Sequence, residues 1–164
     1  MKKMPSFDIE STFNSQEVAN AVDQASRELL TRYDFKNTNT HISFKEQEIN
    51  VTSSTEERLN AAIQVLIEKL IKRKQTSKIL TQYKDSKGSK EEIKRTYYLS
   101  SGISQENAKE ITKEIKSYNK KIQTTIQGPV VRVAGKKKDE LQEIMLLVKE
   151  MNNNFPVSFT NFKD

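Results

Sequence analysis

The chain has 164 residues, of which 34% are hydrophobic, 7% aromatic and 30% charged, and it contains neither cysteine nor tryptophan. This low apolar content argues against one large core and favours two thin layered domains, while the missing cysteine excludes disulfides, thiolate metal sites and cysteine nucleophiles. The net charge of +6 favours a polyanionic partner such as a nucleotide or nucleic acid.

The first half of the sequence predicts a strand, a helix, two strands, a helix and a weaker strand. Asn14 with Glu17, and Ser54 with Glu57, have the spacing of capping boxes and mark the two helix starts. Apolar residues then recur with helical spacing as far as Tyr33 in the first helix and Leu70 in the second. Alternating hydrophobic residues indicate the strands at 6–12, 40–47, 48–54 and 76–84.

The second half repeats this order after the polar segment 85–92, which is the best candidate for a linker. Ser104 is the expected N-cap of a helix whose apolar face includes Ile111, Ile115 and Tyr118. A second helix is expected over 139–151. Strands are expected at 93–100, 121–128, 129–135 and 155–162, with Gly128 and Pro129 as the turn between the second and third.

The repeated order predicts an α+β protein made of two ferredoxin-like βαββαβ domains, residues 1–86 and 87–164. Each would have a four-stranded antiparallel sheet with two helices on one face, leaving the other face open. The sequence does not decide whether the halves are contiguous or exchange a terminal strand. Residues 87–164 carry 15 Lys and Arg against 10 Asp and Glu, so the excess positive charge is expected mainly in the second domain.

Catalysis has little support in the sequence, and no cofactor or metal is predicted. His41 is the single histidine, and no neighbour in sequence is placed to orient it as a catalytic base. Metal-binding spacings and Gly-rich phosphate loops are absent. The N-terminal MKKMPSFDIE lacks the apolar run of a secretory signal, and no stretch has the roughly 20 apolar residues of a membrane span. A cytoplasmic, non-enzymatic protein with no membrane partner is therefore predicted.

The first candidate phosphate site comprises Arg132, Lys136, Lys137 and Lys138. Val131 and Val133 share one face of their strand, so Arg132 is expected on the open face. The three lysines precede a helix whose N-terminus is already partly positive, an arrangement that makes sense if an anion neutralises them. In the alternative interpretation they point to solvent and the acidic residues of the first turn balance them.

Three further features are weaker candidates. Lys69, Lys72 and Arg73 lie near a helix C-terminus, where cations also stabilise the helix dipole. Tyr98 is expected on the open face, opposite Tyr97, and is a candidate for stacking on a base. A row formed by Lys109, Lys113 and Lys116 is expected to be a solvated face paired with Glu106, Glu110 and Glu114.

Five segments together resemble the bacterial YajQ family, in unchanged order from Met4 to Asp164. They are MPSFDIES, TRYDFK, EKLIKR, KIQTTIQGPVVRVAGKKKDELQ and FTNFKD. The chain departs from the family pattern at Asn37 and Lys74, where the family usually has glycine, and around Gly102.

The resemblance implies two ferredoxin-like domains and a regulatory protein that binds nucleotides or nucleic acid. Its implied ligands are a cyclic dinucleotide such as cyclic di-GMP, a mononucleotide or RNA, and some family members act through a transcription factor. The sequence leaves open an alternative function, in which the open sheet faces dock a transcription factor as a protein-interaction adaptor. The family supplies no catalytic residues to carry over.

Overall fold

The computed structural model describes residues 4–151 and 153–164 and contains the elements predicted by periodicity. The predicted α+β architecture, with two four-stranded antiparallel sheets and four helices, is confirmed. In chain order the elements are β1 Ser6–Glu10, α1 Ser15–Thr31, β2 His41–Lys45, β3 Glu48–Ser53, α2 Glu56–Lys72, β4 Tyr83–Lys87, β5 Ile93–Tyr98, α3 Gln105–Tyr118, β6 Gln123–Gln127, β7 Val130–Ala134, α4 Lys138–Glu150 and β8 Ser158–Lys163.

The chain divides into two units, but not at the predicted boundary between residues 86 and 87. One unit, called the terminal unit here, comprises the described residues of 1–12 together with 101–164, and the other, the inserted unit, comprises 13–100. β1 pairs with β7 and β8, and β5 pairs with β3 and β4, so the contiguous division is wrong and the open alternative of strand exchange is the better description.

The strand order explains how both units reach the same architecture. The terminal sheet has the order β6-β7-β1-β8, and the chain order βαββαβ makes this unit ferredoxin-like. The inserted sheet has the order β2-β3-β5-β4. Here β5, the last strand of the unit, occupies the place that β1 takes in the terminal sheet, so the inserted unit is a circularly permuted version of the same arrangement.

The predicted linker at 85–92 is a β-hairpin inside the inserted unit. β4 and β5 pair from Tyr83↔Tyr97 to Lys87↔Ile93, and Gly88 N–H donates to Glu92 O across the loop. Part of the predicted strand at 76–84 is instead a 3₁₀ turn at Ser77–Leu80. The polar residues of the segment 85–92 predicted a linker. They are polar because β4 is an edge strand whose five residues are all exposed.

The helix starts were predicted with one error. The side chains of Asn14 and Ser104 accept hydrogen bonds from Glu17 N and Asn107 N, both at 3.1 Å, as expected of N-caps. The cap of α2 is Thr55 rather than Ser54, because its Oγ1 accepts from Arg58 N.

Each sheet buries one face against its own two helices. In the inserted unit the shared core includes Ile49, Val51, Leu66 and Tyr97. In the terminal unit it includes Phe7, Ile9, Val133 and Ile144, whereas Tyr118, expected in this core, is 54% exposed. The residues that alternate with these core positions define the second, open face of each sheet.

Candidate nucleotide-binding face

The open face of the terminal sheet is occupied by a charged pair. Arg132 lies on this face as predicted, since Val131 and Val133 are fully buried on the other. Its Nε donates to Asp8 Oδ1 at 3.0 Å, and Asn161 Nδ2 donates to Asp8 Oδ2 at 2.9 Å. Burial raises the pKa of Asp8, but the hydrogen bonds from Arg132 and Asn161 outweigh it, and the pKa lies below its ordinary value.

The three lysines after β7 lie apart from this pair. α4 begins at Lys138 and packs on the core face of the sheet through Leu141, Ile144 and Val148, opposite the face that carries Arg132. Lys138 Nζ forms a 2.6 Å ion pair with Asp164 Oδ1. Lys136 and Lys137 are exposed and have no ion pair within the described chain. Two of the four predicted phosphate ligands therefore already have carboxylate partners.

The basic turn of α2 is mainly structural. Lys69 Nζ contacts Glu28 Oε1 at 2.8 Å, and its side chain is only 13% exposed. Arg73 lies 3.5 Å from the Glu17 carboxylate and donates to Gln24. These contacts connect α2 to α1. Lys72 alone of the three predicted residues is exposed without a carboxylate partner in the described ranges.

The open face of the inserted sheet has a different character. β5 alternates between the two faces, so Lys94, Thr96 and Tyr98 lie on the open side while Tyr97 is 3% exposed in the core. Tyr98 is 43% exposed, which agrees with the predicted orientation of the two tyrosines. On the neighbouring edge strand Lys84 pairs in register with Thr96.

These residues form a compact group around Thr96. Because Lys84 is directly opposite Thr96, it is a diagonal neighbour of both Lys94 and Tyr98, at a typical separation of about 7–8 Å. Neither lysine forms an ion pair with any described residue, in contrast to Arg132. Lys45 lies on the same face and is directly opposite Glu48, which on its other side is directly opposite Tyr98.

A hydrogen-bonded polar pair lies beside these cations. Thr96 is 9% exposed, and its Oγ1 donates to Asn50 Oδ1 at 2.7 Å across the central strands β3 and β5. This bond fixes the Asn50 amide and leaves its Nδ2 as a donor with no partner among the described residues. The face thus presents an aromatic ring, two unpaired cations and an oriented amide, from here on called the Tyr98 face and defined as Tyr98, Lys84, Lys94, Thr96 and Asn50.

Sequence reasoning found one residue of this face and missed the others. Tyr98 was visible because adjacent tyrosines on a strand must point to opposite faces. The same alternation in IKRTYY places Lys94 on the face of Tyr98. Lys84 could not be placed, since the predicted strand ended where β4 is only beginning.

The positive charge is also divided differently from the sequence expectation. Residues 1–12 and 101–164 carry 13 Lys and Arg against 10 Asp and Glu, and residues 13–100 carry 15 against 12. The net charge is therefore +3 for each structural unit. Charge alone does not favour the terminal unit as the site of anion binding.

Within the described residues no helix has the length and apolar character needed to cross a membrane. In the same part of the chain, no three His, Asp or Glu side chains are grouped so that they could hold a metal ion.

Comparison with known proteins identifies the family. The family model described as "Nucleotide-binding protein YajQ-like" matches residues 5–163. A protein of Trichodesmium erythraeum, named "Nucleotide-binding protein", is 44% identical over 163 residues, which cover 99% of this chain and all of the relative. Proteins with the same name from Hahella chejuensis and Carboxydothermus hydrogenoformans are 41% and 44% identical and cover 98% and 96% of the chain, and 100% and 97% of their own lengths. The chain is a member of the YajQ-like family, as its sequence motifs indicated.

Proposed function

We propose that this protein binds single-stranded RNA through the Tyr98 face, without chemical turnover of the ligand. The observation that carries the proposal is the position of two unpaired lysines on one sheet face with an exposed tyrosine: Lys84 is diagonal to Tyr98, and Lys94 lies four residues from it along β5. A base would stack on Tyr98 while the lysines contact flanking phosphates. The printed names of the relatives, nucleotide-binding proteins, support the same class of ligand.

The shape of the face favours a strand over a small nucleotide. Pockets for small ligands are concave and bury most of the ligand surface. The Tyr98 face is one side of an antiparallel sheet, which suits an extended strand with splayed bases, as in RNA-recognition motifs. The Asn50 amide would donate to an acceptor on the stacked base. Mononucleotides and cyclic dinucleotides, including cyclic di-GMP, are the competing ligands that the experiment must distinguish.

The proposed role is regulatory and non-enzymatic. The Tyr98 face offers cations, a hydroxyl group and an amide. The carboxylate that lies directly opposite Tyr98, that of Glu48, has no imidazole as its in-register neighbour that could pair with it for acid–base chemistry. In the alternative function, a transcription factor docks on an open sheet face. That alternative gains less support, because the Tyr98 face has one aromatic residue and is otherwise polar, whereas protein interfaces centre on several buried apolar anchors.

Fluorescence anisotropy with labelled single-stranded RNA tests the proposal directly. Tyr98→Ala should weaken binding by about 5- to 150-fold, the equivalent of roughly 1–3 kcal/mol for a stacked base. Lys84→Gln with Lys94→Gln should flatten the slope of log affinity against log salt by about 1.4, or 0.7 for each phosphate contact.

Matched control variants distinguish the loss of specific RNA contacts from a general loss of affinity caused by removing any tyrosine or any two lysines. Tyr33→Ala removes another exposed tyrosine of the inserted unit, and Lys87→Gln with Lys90→Gln removes two lysines next to the same hairpin. Both controls should bind RNA like the parent. Equal RNA affinity of the Tyr98 and parent proteins would place the site elsewhere. Saturable, salt-insensitive binding of cyclic di-GMP in the absence of RNA affinity would replace RNA with a cyclic dinucleotide as the ligand.

A further inference from the structure

A second basic surface lies on α3 in the terminal unit. Four lysines line a shallow groove of about 650 Å³, together with Thr112 and Ser117, and the buried Ile122 forms part of its wall. The lysines are Lys109, Lys113, Lys116 and Lys120. Among the described residues, no carboxylate lines this groove.

The expected pairing of Lys109, Lys113 and Lys116 with glutamates is wrong. None of the four forms an ion pair with a residue in the described ranges, although Glu106, Glu110 and Glu114 lie on the same helix. A helix advances about 100° per residue, so Lys109, Lys113 and Lys116 fall within about 60° of one another and the glutamates follow a neighbouring stripe. Lys120 lies just beyond the end of the helix. The helix surface therefore separates its charges instead of pairing them.

This arrangement of lysines destabilises α3 in the free protein. Lys109 and Lys113, and Lys113 and Lys116, are spaced four and three residues apart on α3, and like charges at these spacings repel each other across a helix turn. The negative end of the helix dipole favours only the cations in the last turn. An anion in the groove would remove the repulsion along the whole row.

The row has the dimensions of a linear anion. At about 1.5 Å per residue, the span from Lys109 to Lys116 along α3 is about 10 Å, which is longer than a single phosphate. Lys120, which also lines the groove, lies beyond the end of the helix. The described residues that line the groove include no aromatic or amide side chain, and Thr112 Oγ1 donates to Lys109 O at 2.9 Å. Such a surface can contact consecutive phosphates but lacks the groups that distinguish bases.

We propose that the α3 groove is a second binding site of this protein, specific for the phosphodiester backbone of single-stranded nucleic acid and indifferent to sequence. The proposal rests on the proposed function in one respect, namely that the ligand is a nucleic acid. It does not depend on the Tyr98 face, because the groove and its lysines belong entirely to the terminal unit.

The test uses the full chain and a probe without bases. A labelled single-stranded oligonucleotide made of abasic sites keeps the phosphates and cannot stack on Tyr98. Replacing the four groove lysines with glutamine should lower its affinity at 0.1 M salt by roughly 10²–10³-fold and flatten the salt slope by about 2.8. The variant should melt no lower than the parent, because glutamine is as good a helix former as lysine and the repulsion is relieved.

A charge-matched control carries Lys36→Gln, Lys78→Gln, Lys87→Gln and Lys90→Gln in the inserted unit. It should bind the abasic strand much more tightly than the groove variant does. If both variants lose the same affinity, net charge rather than the groove explains binding, and the inference is wrong. It is also wrong if the parent has no salt-dependent affinity for the abasic strand, or binds inorganic polyphosphate but not the abasic strand.

The two proposals fail in different ways. A Tyr98→Ala protein that binds RNA like the parent but still holds the abasic strand overturns the Tyr98 face and supports the groove. A groove variant that binds the abasic strand like the parent overturns the groove, whatever Tyr98→Ala does to RNA binding.

Discussion

At the scale of single residues, carboxylate neighbours decide which cations are available to a ligand. Arg132 and Lys94 look alike in sequence, since each alternates with core residues on a strand. Arg132 lies opposite Asp8 on the adjacent strand and is held by it, whereas the in-register partners of Lys94 are Thr52 and Ser86. A cation without a carboxylate partner in the protein is available to bind an anion from solution.

The Asp8–Arg132 pair makes the terminal unit sensitive to acid. The Asp8 side chain is 9% exposed and its folded pKa is lowered, so ionised Asp8 stabilises the fold. This contribution is complete above the ordinary aspartate pKa of about 3.9 and is lost as pH falls through the lower folded value. Asp8→Asn should cost about 1.5–3 kcal/mol at neutral pH, the usual worth of a hydrogen bond to a charged group.

Chemical denaturation of parent and variant from pH 7 to pH 2 measures this effect. The difference between them should narrow as the solution becomes acidic, because the parent also loses its ionised Asp8. Asp23→Asn is a suitable control, since its ion pair with Arg27 is an exposed helix pair. A constant difference between Asp8→Asn and the parent over the whole range would contradict the assignment.

At the scale of elements, the residue that ends the turn after α2 has a strained backbone conformation. After the helix, Lys74 has φ 60°, and the N–H groups of Lys74 and Gln75 donate to Ile71 O and Leu70 O. This is the left-handed position that glycine usually fills at a helix C-terminus. The chain makes the turn with lysine and keeps the hydrogen bonds of the motif.

Lys74→Gly should therefore stabilise the inserted unit by about 0.5–1 kcal/mol. A non-glycine residue in left-handed backbone costs about 1–2 kcal/mol, and the greater freedom of glycine in the unfolded chain offsets part of that gain. The free energy of unfolding in urea measures the change.

Two comparisons give this prediction its controls. Asn37 also has positive φ, at 61°, but asparagine tolerates that backbone, so Asn37→Gly should gain less. Lys72→Gly lies inside α2 and should destabilise by about 0.5–1 kcal/mol. A loss of stability in Lys74→Gly would show that the lysine side chain stabilises the turn.

At the scale of the whole molecule, one ferredoxin-like unit is inserted into another. The chain leaves the terminal unit after β1 and returns before α3, where Gly102 N–H donates to Ser11 O at 2.6 Å. The two ends of the insertion in the terminal unit are therefore adjacent. Such a junction can be closed without disturbing the sheet.

Replacing residues 13–100 with a Gly/Ser linker of about three to five residues, a usual loop length, should leave a cooperatively folded terminal unit. Residues 13–100 alone should also fold. The fragment 87–164 should not, because it lacks β1, which lies between β7 and β8 and supplies Phe7 and Ile9 to the core. Circular dichroism melting and dispersion of amide resonances distinguish these outcomes. Cooperative folding of 87–164 without β1 would favour the contiguous division.

The sequence alone determined the four helices and most of the strands, because hydrophobic period and capping residues are local properties. It placed Arg132 and Tyr98 on open faces, since alternation along a strand fixes orientation. Tertiary structure decided which strands share a sheet. β1 and β5 have similar hydrophobic patterns, so by sequence either strand could occupy the central position of either antiparallel sheet. Tertiary structure also decided which cations have partners. Asp8 lies 124 residues from Arg132, and Lys84 meets Lys94 across a hairpin that polarity alone could not distinguish from a linker.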